Sequence, residues 1–187
     1  MLKDKGYQKI NNVLPLDFCN KLAKDFTKNI IEQTPISYDV MRGFCWQVYK
    51  PDEMQNMLEY VKPTLEKALG EKLLPTYTYI TAYTNNSYMT SHTDRPACEV
   101  SISVNLASTI NWGLHLTDLQ GKSHRLTTNV GDGIAYLGPK VTHWRDLLVS
   151  RKPEFYIQTF LHYVKADGEY SQCVDDRPFI PNGTHDD

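Results

Sequence analysis

Apolar residues recur every three to four positions from Leu16 to about Ile31, at Phe18, Cys19, Leu22, Ala23, Phe26 and Ile30, and this spacing predicts an amphipathic helix. Pro15 and Asp17 suit its start, where a missing N–H costs nothing and a negative charge meets the helix dipole. A second helix is expected over Asp52 to Leu69, with Met54, Met57, Leu58, Val61, Leu65 and Leu69 on one face and Gly70 as the stop. Pro63 lies inside this run and is expected to kink or split it, because proline removes a donor and crowds the preceding turn.

Beyond Gly70 the period shortens to two. Thr76 to Tyr83 is rich in aromatic and β-branched residues, with Tyr77, Tyr79, Thr81 and Tyr83 on one face. Asn85-Asn86-Ser87 reads as a turn. Glu99 to Leu106 alternates, with Val100, Ile102, Val104 and Leu106 on one side and Ser101, Ser103 and Asn105 on the other. Further short strands are expected around 113–119, 124–128, 133–136, 141–145 and 155–164. Many short strands separated by turns, with helices in front, predict an α+β, mainly β chain: a β-sandwich or jelly roll backed by N-terminal helices. We read 1–187 as one domain, with 1–74 mainly helical support, 75–165 the jelly-roll core and 166–187 a polar tail expected to fray.

Composition narrows the classes. The formal net charge of −2 gives no excess of positive charge to meet phosphates, so nucleic acid is not an expected partner. Cys19, Cys45, Cys98 and Cys173 are scattered and never spaced as CxxC, which argues against a zinc ribbon or a disulfide framework. The start, Met-Leu-Lys-Asp-Lys-Gly, lacks the apolar stretch of a signal peptide, and no apolar run reaches membrane-spanning length. A cytoplasmic protein with no membrane partner is expected. Tyrosine is the commonest aromatic, 12 against 6 Phe and 3 Trp, which suits cavity walls that are part apolar and part hydrogen-bonding.

The chemistry concentrates in Ser91-His92-Thr93-Asp94, just before a strongly β segment. Residues two apart on an extended chain point the same way, so His92 and Asp94 can meet one cation. His143 follows 49 residues after Asp94, beyond a Gly131-Asp132-Gly133 turn. Two histidines and one carboxylate on one side of a metal leave the other positions open, the arrangement of non-haem Fe(II) oxygenases. Taken alone, a His-x-Asp pair is more often a surface hydrogen-bonding feature.

Residues 77–163 resemble the 2-oxoglutarate/Fe(II)-dependent dioxygenase superfamily, specifically its prolyl-4-hydroxylase-like branch. The resemblance is carried by Tyr83, by the run from His92 through Asp94 to Leu106, by the Gly131-Asp132-Gly133 turn, by His143-Trp144-Arg145-Asp146 and by Gln158-Thr159-Phe160-Leu161-His162-Tyr163. Val13 to Cys19 also resembles the start of that branch's leading helix. The resemblance implies a double-stranded β-helix core, with His92, Asp94 and His143 as iron ligands. It further implies 2-oxoglutarate and O₂ as co-substrates, with ascorbate as a candidate reductant. Its implied activity is hydroxylation of a C–H bond, in a prolyl or other residue of a protein or peptide. Rival readings are the same chemistry on a free amino acid or other small molecule, a nucleic-acid demethylase, which the near-neutral charge disfavours, and a non-catalytic jelly-roll module that binds a metal or ligand.

The far carboxylate of 2-oxoglutarate needs a cationic or hydroxyl partner. Relatives place a basic residue about ten positions after the distal histidine. That count reaches Arg151, Lys152 and Pro153, in what reads as a polar turn. Arg145, two residues past His143, is the preferred anchor, since a guanidinium grips a carboxylate through two parallel hydrogen bonds. Its bland alternative is an ion pair with Asp146. Tyr83 matches a tyrosine lining the co-substrate pocket, and Asn105 is a weaker candidate. Arg95 and Glu99, four apart, are expected to pair. His115, His124 and His162 are expected to be structural, with His162 also able to line the cavity. Tyr88 and Trp112 are candidates for the mouth.

Overall fold

The computed structural model describes residues 2–178, so the last part of the expected fraying tail, 179–187, lies outside the described residues. A short helix α1 (Leu2–Lys5) and strand β1 (Tyr7–Ile10) precede helix α2 (Leu16–Phe26), which runs into a π turn at Thr27–Ile31. Strands β2 (Ser37–Asp39) and β3 (Gly43–Tyr49) lead to helix α3 (Gln55–Leu69). Then follow β4 (Leu73–Ser87), β5 (Met89–His92), β6 (Val100–Ser108), β7 (Leu114–Thr117), β8 (Ser123–Leu126), β9 (Gly133–Tyr136), β10 (His143–Arg145) and β11 (Phe155–Lys165). A 3₁₀ segment, Ser171–Asp176, closes the described chain.

The strands form two antiparallel sheets. The larger has the order β1-β9-β6-β11-β4-β3-β2 and the smaller β5-β10-β7-β8. Helix α2 packs on β6, and α3 on β4 and β11. The core therefore takes Cys19, Ala23 and Phe26 from α2, Val61, Leu65 and Leu69 from α3, and Ile80, Ile102 and Leu161 from the large sheet. Each fully buried Val, Leu, Ile or Phe side chain among these is worth about 1.5–3 kcal/mol of transfer free energy.

The alternation along β6 has a specific meaning here. Both sides of the strand are buried. Its apolar side faces the helices, while Ser101 and Ser103 face the interior between the sheets, where they bond His162 and Gln158 of β11. The polar face of the pattern thus marks buried hydrogen bonding to β11 and not solvent.

Three details differ from the sequence expectation. Pro63 neither ends nor splits α3, which continues unbroken from Gln55 to Leu69. Pro63 and Glu59, whose carbonyl loses its partner, both lie on the exposed side, where water replaces the missing bond. Residues 1–74 are less helical than expected, since β1, β2 and β3 add three strands to the large sheet. The segment after Ala166 also does not simply fray: Cys173 is buried there and Asp176 pairs with Arg95. Among the described residues no helix is long and apolar enough to cross a membrane. All four cysteines are free and buried.

Candidate metal centre and its cavity

His92 ends β5 and His143 begins β10, and antiparallel pairing sets the two residues directly opposite each other. Their rings stand 4.4 Å apart, and the Tyr136 ring backs His143 at 4.6 Å. His92 Nδ1 lies 2.7 Å from the Thr90 carbonyl oxygen and His143 Nδ1 lies 2.9 Å from that of Val141. A carbonyl only accepts, so each Nδ1 carries the proton and each Nε2 presents a lone pair.

Asp94 follows β5 and is held by its backbone N–H, which donates to the Gly138 carbonyl at 2.9 Å. Its Oδ1 stands 3.5 Å from His92 Nε2 and 3.6 Å from His143 Nε2. Ligand atoms of the three residues all fall within 4.8 Å of one another. With metal–ligand bonds of about 2.1 Å, neighbouring ligand atoms are expected about 3.0–3.4 Å apart, so the 3.5 and 3.6 Å spacings need to close by only a few tenths of an ångström around one small divalent cation. Asp94 Oδ2 meanwhile accepts from Ser101 Oγ at 3.3 Å, and Ser101 Oγ lies 2.8 Å from His162 Nδ1. Hydrogen bonding of a carboxylate in this way orients it and tunes its basicity, as it does for metal ligands.

The electrostatics suit a cation. Burial pushes the Asp94 carboxyl up, but hydrogen bonding to His92 and the nearby imidazoles outweigh it and hold it below the ordinary value. Burial pulls His92 down, yet its bonds to Asp94 and the Thr90 carbonyl carry it above the ordinary imidazole value. His143, more deeply buried, is lowered by loss of solvent. Burial likewise lowers His162 to about 4, so this histidine is neutral at ordinary pH.

A cavity of about 270 Å³ opens beside these residues. Its walls include Tyr49, Tyr77, Tyr79 and Phe160, with His162 and Cys98 toward one end and Arg42, Met89 and Arg95 on other sides. Cys98 Sγ lies 3.1 Å from the Tyr77 hydroxyl, and Asp94, Cys98 and His162 form a second group of ligand-type atoms within 4.8 Å.

The remaining expected site residues divide sharply. Arg145 is buried, with guanidinium bonds to the Trp112 carbonyl and, at 2.7 Å, to Gln158 Oε1; its Nε is buried without a partner. It stacks between Trp112 and Tyr156, and Asp146 pairs instead with His115 at 2.9 Å. Gln158 Nε2 donates to the Tyr83 hydroxyl at 3.4 Å, so Arg145, Gln158 and Tyr83 form one linked set. That set lies outside the residues lining the cavity. The pairing of β10 with β5 shifts register between His143 and Arg145, which explains why residues two apart do not share one cavity.

Asn105 is buried away from the lining, its Nδ2 donating to Ser108 and the Thr128 carbonyl while its Oδ1 has no partner. Arg151 and Lys152 lie exposed on the β10–β11 loop, Lys152 beside Glu154 at 3.4 Å. Trp112 is packed against Tyr83 and Tyr156 in the interior and not at a mouth. Tyr88 is half-buried with its hydroxyl 3.0 Å from that of Tyr38. Arg95 and Glu99 do not pair. Arg95 turns to Asp176 at 2.6 Å, and Glu99 accepts from the Lys165 backbone at 2.8 Å, because 95–99 is a loop with a 3₁₀ turn and not a helix. His115 and His124 are held by Asp146 and Asp118, whereas His162 does line the cavity. Sequence reasoning missed Arg42, Gln158, Cys98 and Gly138. Gln158 was within reach, since it shares the inward face of β11 with Phe160 and His162.

No protein-family model and no curated protein matches the sequence. Solved structures match the fold. A prolyl-4-hydroxylase from Pseudomonas putida superposes with a TM-score of 0.65 at 16% identity, covering 86% of this chain and 94% of its own. The α-ketoglutarate-dependent carbocyclase SnoK of nogalamycin biosynthesis gives 0.70 at 11% identity, covering 97% and 91%. The viral collagen prolyl hydroxylase of Paramecium Bursaria Chlorella virus-1, in its 2-oxoglutarate complex, gives 0.58 at 15%, covering 86% and 97%. The chain thus carries the jelly-roll fold of prolyl-4-hydroxylases and other 2-oxoglutarate/Fe(II)-dependent oxygenases.

Proposed function

We propose that this protein is an Fe(II)- and 2-oxoglutarate-dependent dioxygenase that hydroxylates a C–H bond, with iron held by His92, Asp94 and His143. One observation carries the reading: both imidazoles are fixed through Nδ1 to backbone carbonyls, so that Nε2 of each converges on one oxygen of Asp94. Bound iron would supply O₂ activation and hydrogen removal from the substrate, coupled to conversion of 2-oxoglutarate to succinate and CO₂. The chain's own residues supply the rest. His92 and Asp94 meet from one strand end, His143 meets them from the facing strand, and Ser101 steadies the second oxygen of Asp94. Aromatic side chains from β3, β4 and β11 line the reacting space.

Arg145 is the proposed partner of the far carboxylate of 2-oxoglutarate, with the Tyr83 hydroxyl beside it. Its support is a buried guanidinium whose Nε has no partner, on the strand that carries His143. Engaging the carboxylate would replace the Arg145–Gln158 bond, while Gln158 already reaches the Tyr83 hydroxyl through its Nε2. Asn105 is a more remote contributor through its unpartnered Oδ1. Arg151, on its exposed loop, is the weaker anchor. The substrate reading begins with a prolyl or other residue of a protein or peptide, as the names of two of the fold relatives suggest. A small molecule is the second reading, favoured by the confined volume of the cavity.

Anaerobic titration of the metal-free protein with Fe(II) and 2-oxoglutarate tests the assignment. A weak visible charge-transfer band is expected, and its absence with folded wild-type protein would sink the proposal. His92→Ala abolishes the band. Arg145→Ala weakens 2-oxoglutarate by about 30-fold or more, the scale of truncating one partner of a buried charge pair, while leaving iron binding near wild type.

A further inference from the structure

The cavity holds a second arginine whose hydrogen-bonding capacity is largely unused. Arg42 lies in the turn between β2 and β3, and that turn is pinned beside the metal-binding strand: Thr90 N donates to the Met41 carbonyl and Tyr88 N to that of Arg42, both at 2.9 Å. The guanidinium sits 4.9 Å over the Tyr79 ring, which fixes its plane. Its one hydrogen bond among the described residues is a long 3.5 Å contact to Asp39 Oδ1, and its Nε is buried without a partner. Asp39 is committed elsewhere, accepting from the Met41 backbone at 2.9 Å and from Gln47 at 3.4 Å. Arg95, the other cation on the lining, is by contrast closed off by Asp176 at 2.6 Å.

An arginine held flat, desolvated in part and short of partners is built to receive a planar anion. Two anions are in question: the co-substrate's far carboxylate and an acid group on the substrate. Position separates them. Arg145 is wholly interior, whereas the Arg42 side chain is 23% exposed, on the side of the centre where His92 is 22% exposed and His143 only 2%. Of the two arginines, only Arg42 is reachable from solvent. The facing walls, Tyr77, Tyr79 and Phe160, suit an apolar body.

We propose that Arg42 is the recognition residue for the substrate's carboxylate, so that the cavity accepts a small carboxylic acid with an apolar body. This rests on the oxygenase reading above in its small-molecule form, and on Arg145 serving the co-substrate.

The test is calorimetric titration of the Mn(II)- and 2-oxoglutarate-loaded protein with N-acetyl-L-amino acids and aryl carboxylic acids, each paired with its primary amide. At least one acid with an apolar side chain is expected to bind wild type at least tenfold more tightly than its amide, the scale of a charge-assisted hydrogen bond. Arg42→Gln erases that preference, and Arg42→Lys retains part of it. The Fe(II)/2-oxoglutarate band persists in Arg42→Gln, with a melting temperature near wild type. The proposal is overturned if no acid binds wild type, if amides bind as well as acids, or if Arg42→Gln keeps the preference. Loss of the band in folded Arg42→Gln also overturns it, by assigning Arg42 to the co-substrate. Absence of the band in wild type is a separate result and refutes the underlying oxygenase reading.

Discussion

Gly138 offers a sharp test of how Asp94, the proposed carboxylate ligand, is positioned. A Cβ at this residue would stand 2.2 Å from the Cys98 carbonyl oxygen and 2.7 Å from both Cβ and Oδ2 of Asp94. Ordinary contact begins at 3.4 Å, so Gly138→Ala forces a displacement of about 1 Å against Cys98 and about 0.7 Å against Asp94. Gly138 cannot retreat freely, because its carbonyl accepts from Asp94 N at 2.9 Å and its N–H donates to the Glu99 carbonyl at 3.2 Å. Overpacking of this kind costs about 1–3 kcal/mol, or roughly 2–12 °C of melting temperature for a chain of this length. Asp94 is the movable neighbour, so divalent-metal affinity is expected to fall by about 10- to 100-fold as well. Gly121→Ala is the control: it also strains the backbone, with φ +80°, but meets nothing within 4 Å. It should lose stability and keep metal affinity. Mn(II) titration followed by EPR, beside thermal melting of the metal-free proteins, reads both quantities. Unchanged Mn(II) affinity in Gly138→Ala would refute the claim that this glycine sets the Asp94 position.

Other consequences follow from the same contacts. His162, at about 4 in the folded protein against an ordinary 6.5, takes up a proton more readily when unfolded. Its stabilising effect is complete above pH 6.5 and is lost as pH falls toward 4, on the order of 3 kcal/mol in all. Urea midpoints of the metal-free protein should therefore drop less steeply over that window in His162→Phe; parallel slopes would contradict this. Asp176→Asn removes the partner of Arg95 and Lys50, should cost about 1 kcal/mol, and should raise hydrogen exchange across 171–176. Unaltered exchange there would show that the segment is held by other contacts. Leu65→Ala, at the centre of the α3 face, should cost about 2–5 kcal/mol by urea unfolding, and a loss below 1 kcal/mol would mean that the helix is not load-sharing with the sheet.

Much of this was legible in the sequence because it depends on local periodicity. The two-residue spacing of His92 and Asp94, the alternation of β6 and the apolar stripe of α3 are all properties of short segments. What stayed hidden depends on segments distant in sequence meeting. Arg42 reaches the cavity because the β2–β3 turn docks on β5, and nothing near residue 42 announces that docking. The Arg95–Glu99 pairing failed because the four-residue rule presumes a helix. Arg145 was expected in the cavity on the strength of regular alternation, and the register shift after His143 turns it into the packed interior instead.

The strand order of the large sheet also sets the order of events during synthesis. Its middle strand, β11, is the last of its seven strands in sequence, and β4 and β6 each pair with it rather than with each other. Until residues 155–165 have left the ribosome, the sheet is two unconnected halves with open edges. The pairing of β1 with β9 likewise joins segments more than 120 residues apart. Such non-local closure is slow and leaves strand edges exposed in the meantime. Closure of the large sheet in the nascent chain is thus expected to wait until β11 emerges.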